Sequence, residues 1–271
     1  MSHAAHFAAA LLGCYLTARV LAGAGWLRRA PRTAIVCWQG VGLAVGLSAI
    51  GLPLALGLAP YRDGTGVALL RLLGDLAGDR VGPGLGPVRI AAVGAGLAVA
   101  AALCGTTLTC VLRTARAQRR HRDLLTLVAR RDPAAPGALV LDHPRAAAYC
   151  LPGRRPCVVV SAGTLRLLDA RMLAAVLCHE RAHAVERHDL VLLPFTALRR
   201  VAPWARWVRT AADTVALLVE MRADDAARRR HADTALAAAL VRFAACGAPV
   251  APTGTLGIAD AGIAARVARL V

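Results

Sequence analysis

Lysine is absent from this chain of 271 residues, so all 33 of its basic side chains other than histidine are arginines. Acids are scarce beside them: 16 Asp and Glu leave a formal net charge of +17. Such an excess invites a nucleic-acid reading. However, no basic stripe interleaved with aromatics runs along the sequence, and aromatics make up only 4% of it. Direct nucleic-acid binding is therefore not expected, and the arginine and alanine usage reads as that of a GC-rich coding sequence. Nor do the cysteines form a disulfide framework. Cys14, Cys37, Cys104 and Cys110 lie in apolar runs, where Cys behaves as a small hydrophobe. Cys150, Cys157, Cys178 and Cys246 lack the CxxC spacing of a zinc knuckle. No internal repeat is present.

What the chain does have is aliphatic bulk, 57% apolar residues dominated by Ala, Leu and Val. Two stretches carry no charge, "TAIVCWQGVGLAVGLSAIGLPLALGLAPY" from Thr33 and "IAAVGAGLAVAAALCGTTLTCVL" from Ile90. Each exceeds the roughly 20 helical residues needed to cross a hydrocarbon core of about 30 Å. Pro53 kinks the first, which a packed membrane helix tolerates. A third candidate, Ala4 to Leu27, is interrupted by Arg19, whose long side chain can snorkel toward the Arg28 end. It reads as a membrane helix rather than a signal peptide, because no Lys or Arg precedes Arg19 to form a basic n-region. The expected spans are 4–27, 33–60 and 90–112, within a transmembrane region 1–123.

Arginine placement orients these spans. "RRAPR" at 28–32 has no acid, and Arg113, Arg116, Arg119, Arg120 and Arg122 follow the third span, whereas loop 62–89 mixes Arg with Asp. By the positive-inside rule the N-terminus lies outside and everything past residue 113 is cytoplasmic, in a multi-pass protein of the cell membrane. From 124 to 271 the sequence becomes that of a soluble domain. "GALVLDHPRAAAYCLPGRRPCVVVSAG" reads as short strands around Pro152-Gly153. A helix begins at Asp169 as N-cap, a second covers about 211–231, and "ADTALAAALVRFAA" makes a third. "LVLLPFTAL" at 190–198 is too short to span. With Trp204, Arg206, Trp207 and Arg209 after it, the segment suits an interfacial anchor or ordinary domain core equally.

The chemistry centres on "AAVLCHERAHAVERHDL", where His179, Glu180 and His183 stand in the order His-Glu-x-x-His. Helix positions i and i+4 share a face, so both imidazoles can reach one Zn²⁺ at about 2.0–2.1 Å. Glu180 beside them can take the proton of a water on its way to a carbonyl carbon, as the general base of a hydrolytic zinc site. Met172, Val176, His179 and His183 form one face, so the histidines continue an apolar, inward-looking stripe. A third ligand is needed. Asp189 has the metzincin spacing, but that turn requires a Gly where this chain has Glu186. Glu220 in "EMRAD" is the better candidate. Asp224, one turn on, points the same way and can hold a ligand histidine by its other ring nitrogen. Arg222 and His231 are the nearest candidates for stabilising an oxyanion.

"HERAH…HD" followed by "ExxAD" resembles the gluzincin metallopeptidases with integral membrane helices, both the HtpX/CaaX-prenyl-protease type and the BlaR/MecR antirepressor type. "RAPRTAIVCWQGVGLAV", "AYCLPGRRPCVVVSAGTL" and "ARVARLV" are similar to actinobacterial members of the latter. The resemblance implies a mainly α membrane protein: about three N-terminal transmembrane helices, then an α+β metallopeptidase domain with a small sheet. It also implies His179, His183 and Glu220 as zinc ligands, Glu180 as catalytic base and Asp224 as the residue behind a ligand. "AYCLPG" resembles the strand edge beside the cleft, so Ala148, Tyr149, Cys150 and Leu151 would pair with an extended substrate. The partners implied are the lipid bilayer and a protein or peptide substrate, among them a winged-helix repressor. One departure is firm: without lysine, the S-x-x-K nucleophile of a penicillin sensor cannot be present. Members also often carry a further membrane helix after the peptidase domain, and none is read here. Against the regulatory protease stand a quality-control protease of the HtpX type and a non-catalytic membrane sensor with a vestigial metal site.

Overall fold

The computed structural model describes residues 3–78, 85–153, 155–247, 256–257 and 262–271. It bears out a mainly helical chain: three long apolar N-terminal helices, then a domain with a small sheet. The chain divides into two compact units, described in turn. One comprises 1–24, 36–108 and 197–211, the other 25–35, 109–196 and 212–271.

The first unit is built on α1 (His3–Gly23), α2 (Pro31–Gly57) and the apolar part of α4 (Pro87–Val128), the three helices long and apolar enough to cross a membrane. Prolines open α2 and α4, where the missing N–H costs no intrahelical bond. Much of their apolar surface stays exposed, Leu12, Val20, Leu43 and Leu47 among it, as lipid-facing positions require. Close approach is bought with glycine. A Cβ on Gly51 would fall 2.4 Å from the Phe7 ring, and one on Gly96 would fall 2.6 Å from Leu54. Loop 62–89, read from sequence only for its mixed charge, contains a helix, α3 (Thr65–Ala77). Its Ala68, Leu69 and Leu72 pack on Leu54, Leu58 and Val93, and Tyr61 donates its hydroxyl proton to Asp75 at 2.9 Å. Asp79 and Arg80 of that loop lie outside the described residues.

The third apolar run does not end its helix at Leu112. α4 continues as an arginine-rich extension to Val128.

In the second unit the strands are β1 (Ala129–Arg131), β2 (Ala138–Leu141), β3 (Ala148–Leu151), β4 (Cys157–Ser161) and β5 (Leu256–Gly257), in the order β1-β2-β4-β3-β5. Among the described residues β2 and β4 pair in parallel and the other neighbours antiparallel. Ser161 ends β4 and caps α5 (Ala162–Leu167): its Oγ accepts from Thr164 N at 3.1 Å. Asp169 caps α6 (Ala170–Val185) as expected, accepting from Met172 N at 2.9 Å. The core of this unit joins Val140, Val158 and Val160 of the sheet, Leu173, Val176 and Leu177 of α6, and Leu236, Leu240 and Phe243 of α9 (Asp233–Ala245). The remaining helices are α7 (His188–Val201), α8 (Arg206–Arg228) and α10 (Ile263–Leu270).

Candidate metal centre

Because α6 lies in the core, its whole middle turn is buried, and the His-Glu-x-x-His residues are carried inside with it. His179, Glu180 and His183 are all fully buried. The two Nε2 atoms of His179 and His183 stand 3.1 Å apart. Glu220, from α8, brings Oε2 to 3.4 Å from Nε2 of His179 and Oε1 to 3.4 Å from Nε2 of His183. One ligand atom from each of the three residues lies within 4.8 Å of the other two.

Two observations test whether the residues fit a divalent cation. Ligand atoms around a tetrahedral ion with bonds of about 2.0–2.1 Å stand about 3.3 Å apart, close to the 3.1 Å between the two Nε2 atoms and the 3.4 Å from each to a carboxylate oxygen of Glu220. The charges also fit. Glu180, Glu220 and Asp224 are three buried carboxylates, and among the described residues Arg266 is the one buried guanidinium, so the cluster holds an excess of negative charge. Two imidazoles and a carboxylate are a donor set that suits zinc.

Each of the two histidines is held from behind. The Nδ1 of His179 stands 3.0 Å from Asp224 Oδ1. The Nδ1 of His183 stands 2.8 Å from Nδ1 of His188, a buried residue whose Nε2 lies 3.5 Å from Glu186. Glu186 in turn is held by Arg222 at 2.8 Å. This arrangement fixes tautomers. If Nε2 of His183 offers its lone pair to a metal, Nδ1 carries the proton and donates to His188. His188 then carries its own proton on Nε2, toward Glu186.

Electrostatics follow from the same contacts. Burial opposes the charged form of His179, but the carboxylates of Asp224 and Glu220 carry it up to about 9. The centre thus favours positive charge. His183 is driven by burial down to about 3, against the opposing pull of the Glu220 carboxylate. Glu220 would be raised by burial, yet Arg266 and the histidines hold it at about 2. Asp224, also buried, is held below the ordinary carboxylate range by His179 and Arg266.

Of the residues expected from sequence, the structure brings His179, Glu180, His183, Glu220 and Asp224 into one buried cluster. Asp189 is elsewhere engaged, by the guanidinium of Arg187 at 3.1 and 3.2 Å. Arg222 is tied to Glu186. The expectation that Ala148–Leu151 forms a sheet edge does not hold. β5 pairs with β3 at Tyr149 and Cys150, and all four residues of β3 are buried. The edge is taken up by the backbone pairing with β5, and the burial comes from the two faces: α6 packs on one, while Tyr149 and Leu151 pack on Leu125 of α4 on the other.

Two residues were missed, Arg266 and His188. Arg266, on α10, is fully buried and donates from Nε and Nη2 to both oxygens of Asp224, at 2.9 and 2.7 Å, while its Nη1 reaches Glu220 at 2.9 Å. Its turn of backbone requires Gly262, at φ +55, where a Cβ would also fall 2.5 Å from Leu217. In sequence Arg266 is one arginine of 33, within the "ARVARLV" segment, and nothing in that segment points to the metal centre. His188 had a signal, a histidine five residues after His183 beside a carboxylate.

Residues 112–245 match peptidase family M48. The match takes in α6, α8 and the residues of the cluster except Arg266, and it supports an M48 metallopeptidase. No curated protein and no solved structure matches the chain.

Proposed function

With an M48 metallopeptidase as the premise, we propose that this chain is a membrane-anchored zinc endopeptidase in which His179, His183 and Glu220 hold the metal. Glu180 is the general base and Asp224 positions His179. The observation that carries the reading is the buried convergence of three ligand atoms beside Glu180, on a helix that follows the apolar spans.

When bound, zinc supplies Lewis acidity toward a water molecule and a substrate carbonyl. Glu180 accepts the proton of the attacking water and then delivers it to the leaving amine nitrogen. Asp224 and His188 hold the two imidazoles so that their Nε2 lone pairs converge. Arg266 keeps Glu220 and Asp224 ionised in a buried setting, where unpaired carboxylates would take up protons. Pairing of an extended substrate along Ala148–Leu151 requires β5 to leave β3.

The arginines that flank the spans favour a peptidase domain on the cytoplasmic side. The substrate is then a protein at the inner membrane face, and the BlaR/MecR-like segments favour a winged-helix transcriptional repressor over the damaged membrane proteins an HtpX-type protease would take. The test is the full chain in mild detergent, with zinc measured and a candidate repressor offered as substrate to wild type and Glu180→Gln. About one zinc per chain in both, with cleavage only by wild type, is the expected result. Cleavage by Glu180→Gln at the wild-type rate, or absence of zinc from the wild type, would sink the mechanism. Cleavage of casein but not of the repressor would keep the peptidase and reject the regulatory substrate.

A further inference from the structure

The first unit contains a cleft of about 730 Å³ among α1, the start of α2 and the first turns of α8. We propose that it binds the phosphate-bearing headgroup of an anionic phospholipid. The proposal rests on α1 and α2 being membrane spans and is independent of the peptidase reading.

Its depth is set by the chain. Arg19 lies one turn before the end of α1 at Gly23, and Trp38 lies two turns into α2, which begins at Pro31. Since α1 ends and α2 begins on either side of a short connection, both residues sit at the same end of their helices. At 1.5 Å per residue they are within roughly 10 Å of those ends, the level at which acyl chains give way to headgroups. Trp204, in the turn before α8, is 76% exposed, as an indole at a membrane interface would be.

The lining has the chemistry of an anion site with aromatic walls. Arg19 and Arg206 bring two guanidinium groups, and Tyr15, Trp38 and Trp207 bring rings. Arg19 Nη1 donates to the Tyr15 hydroxyl at 3.2 Å, with its guanidinium carbon 5.9 Å from the ring centre. No carboxylate lines the cleft, and neither arginine makes an ion pair among the described residues. Trp38 is 2% exposed, and its indole N–H is a buried donor with no acceptor among the described residues. Such a donor is costly unless something accepts from it. Unneutralised cations at headgroup depth, beside aromatic rings and an unmatched donor, fit a phosphodiester joined to acyl chains. A basic pocket between membrane helices is where such headgroups bind.

Native mass spectrometry tests this on the full chain, released from micelles that contain equal amounts of phosphatidylglycerol and phosphatidylcholine. The expected result is preferential retention of phosphatidylglycerol. Each arginine contributes about fivefold, so Arg19→Gln/Arg206→Gln should lower the preference by roughly 30-fold. Arg19→Lys/Arg206→Lys keeps the charges and should retain most of it. Arg116→Gln/Arg119→Gln, on the arginine-rich part of α4, should leave it intact. If the double Gln variant does not fold, Arg206→Gln alone carries the test with a fivefold loss. Equal retention of the two lipids would show an apolar slot and overturn the proposal. So would an equal loss in the α4 variant, which would mean diffuse surface charge. Displacement of the lipid by excess inorganic phosphate would identify a free anion as the ligand and also overturn it.

Discussion

Replacing Arg266 by Met tests the electrostatic design of the centre most directly. The guanidinium is fully buried and makes three contacts of 2.7–2.9 Å with Asp224 and Glu220. Met keeps most of the side-chain volume, so the loss is of charge rather than of packing. Two buried carboxylates then face each other one turn apart without their cation, and breaking a buried ion pair in this way costs about 3–5 kcal/mol. For a domain of this size each kcal/mol lowers Tm by about 2–4 °C, so the chelator-treated variant should melt about 6–20 °C below the wild type. Zinc neutralises part of the same charge, so saturating zinc should raise the Tm of the variant more than that of the wild type. Adding Asp224→Leu removes one of the stranded carboxylates, and the double variant should be more stable than the sum of the single losses by about 1–3 kcal/mol. Circular dichroism melts in mild detergent, with and without chelator, read all three. A metal-free Arg266→Met variant melting within about 1 °C of wild type, or a double variant that is simply additive, would refute this account.

His188→Phe removes the acceptor for the Nδ1 proton of His183 and should weaken zinc binding about 10–100-fold, while Asp189→Asn leaves it unchanged; competition with a chromophoric chelator measures both. Glu220→Gln should strip zinc and leave a protein whose Glu180 has no metal to work beside, seen as zinc content well below one per chain. The pH dependence of the metal-free protein has two arms. Glu220, at about 2 when folded, and Asp224, also lowered, contribute stability above their unfolded values near 4, and that stability is lost as pH falls toward 2. His179, raised to about 9, contributes stability that is full below about 6.5 and is lost as pH rises through 9. Melts at pH 7 and pH 10 should therefore differ in chelator, and Asp224→Asn should shrink that difference. Gly163→Ala places a Cβ 2.3 Å from the carbonyl oxygen of Pro144, a backbone atom, and should lower Tm by several degrees.

The local features were legible in the sequence because short-range physics produces them. Uncharged runs long enough to cross a bilayer became α1, α2 and α4, and the Asp169 cap became the start of α6. The helical repeat alone put His179 and His183 on one face and Glu220 and Asp224 on another, since i and i+4 residues stack whatever the tertiary fold. α3 escaped notice because a short amphipathic helix between membrane spans looks like a polar loop when only charge is counted.

Sequence could not decide which faces meet. That α6 sits between the sheet and α9, with Glu220 arriving from α8, depends on core packing over many residues and no local pattern encodes it. β5 covering β3 is a pairing of segments more than 100 residues apart, and it turned an expected free edge into an interior strand. Arg266 is the clearest case. By composition it is one of 33 identical cations, and only the docking of α10 makes it the buried partner of two carboxylates 42 and 46 residues away. The sequence by itself determined the long apolar helices, long enough to cross a membrane, and the His-Glu-x-x-His residue types of a metallopeptidase. The tertiary structure decided which charges are buried together, because burial raises the strength of their interactions and makes every unmatched one costly.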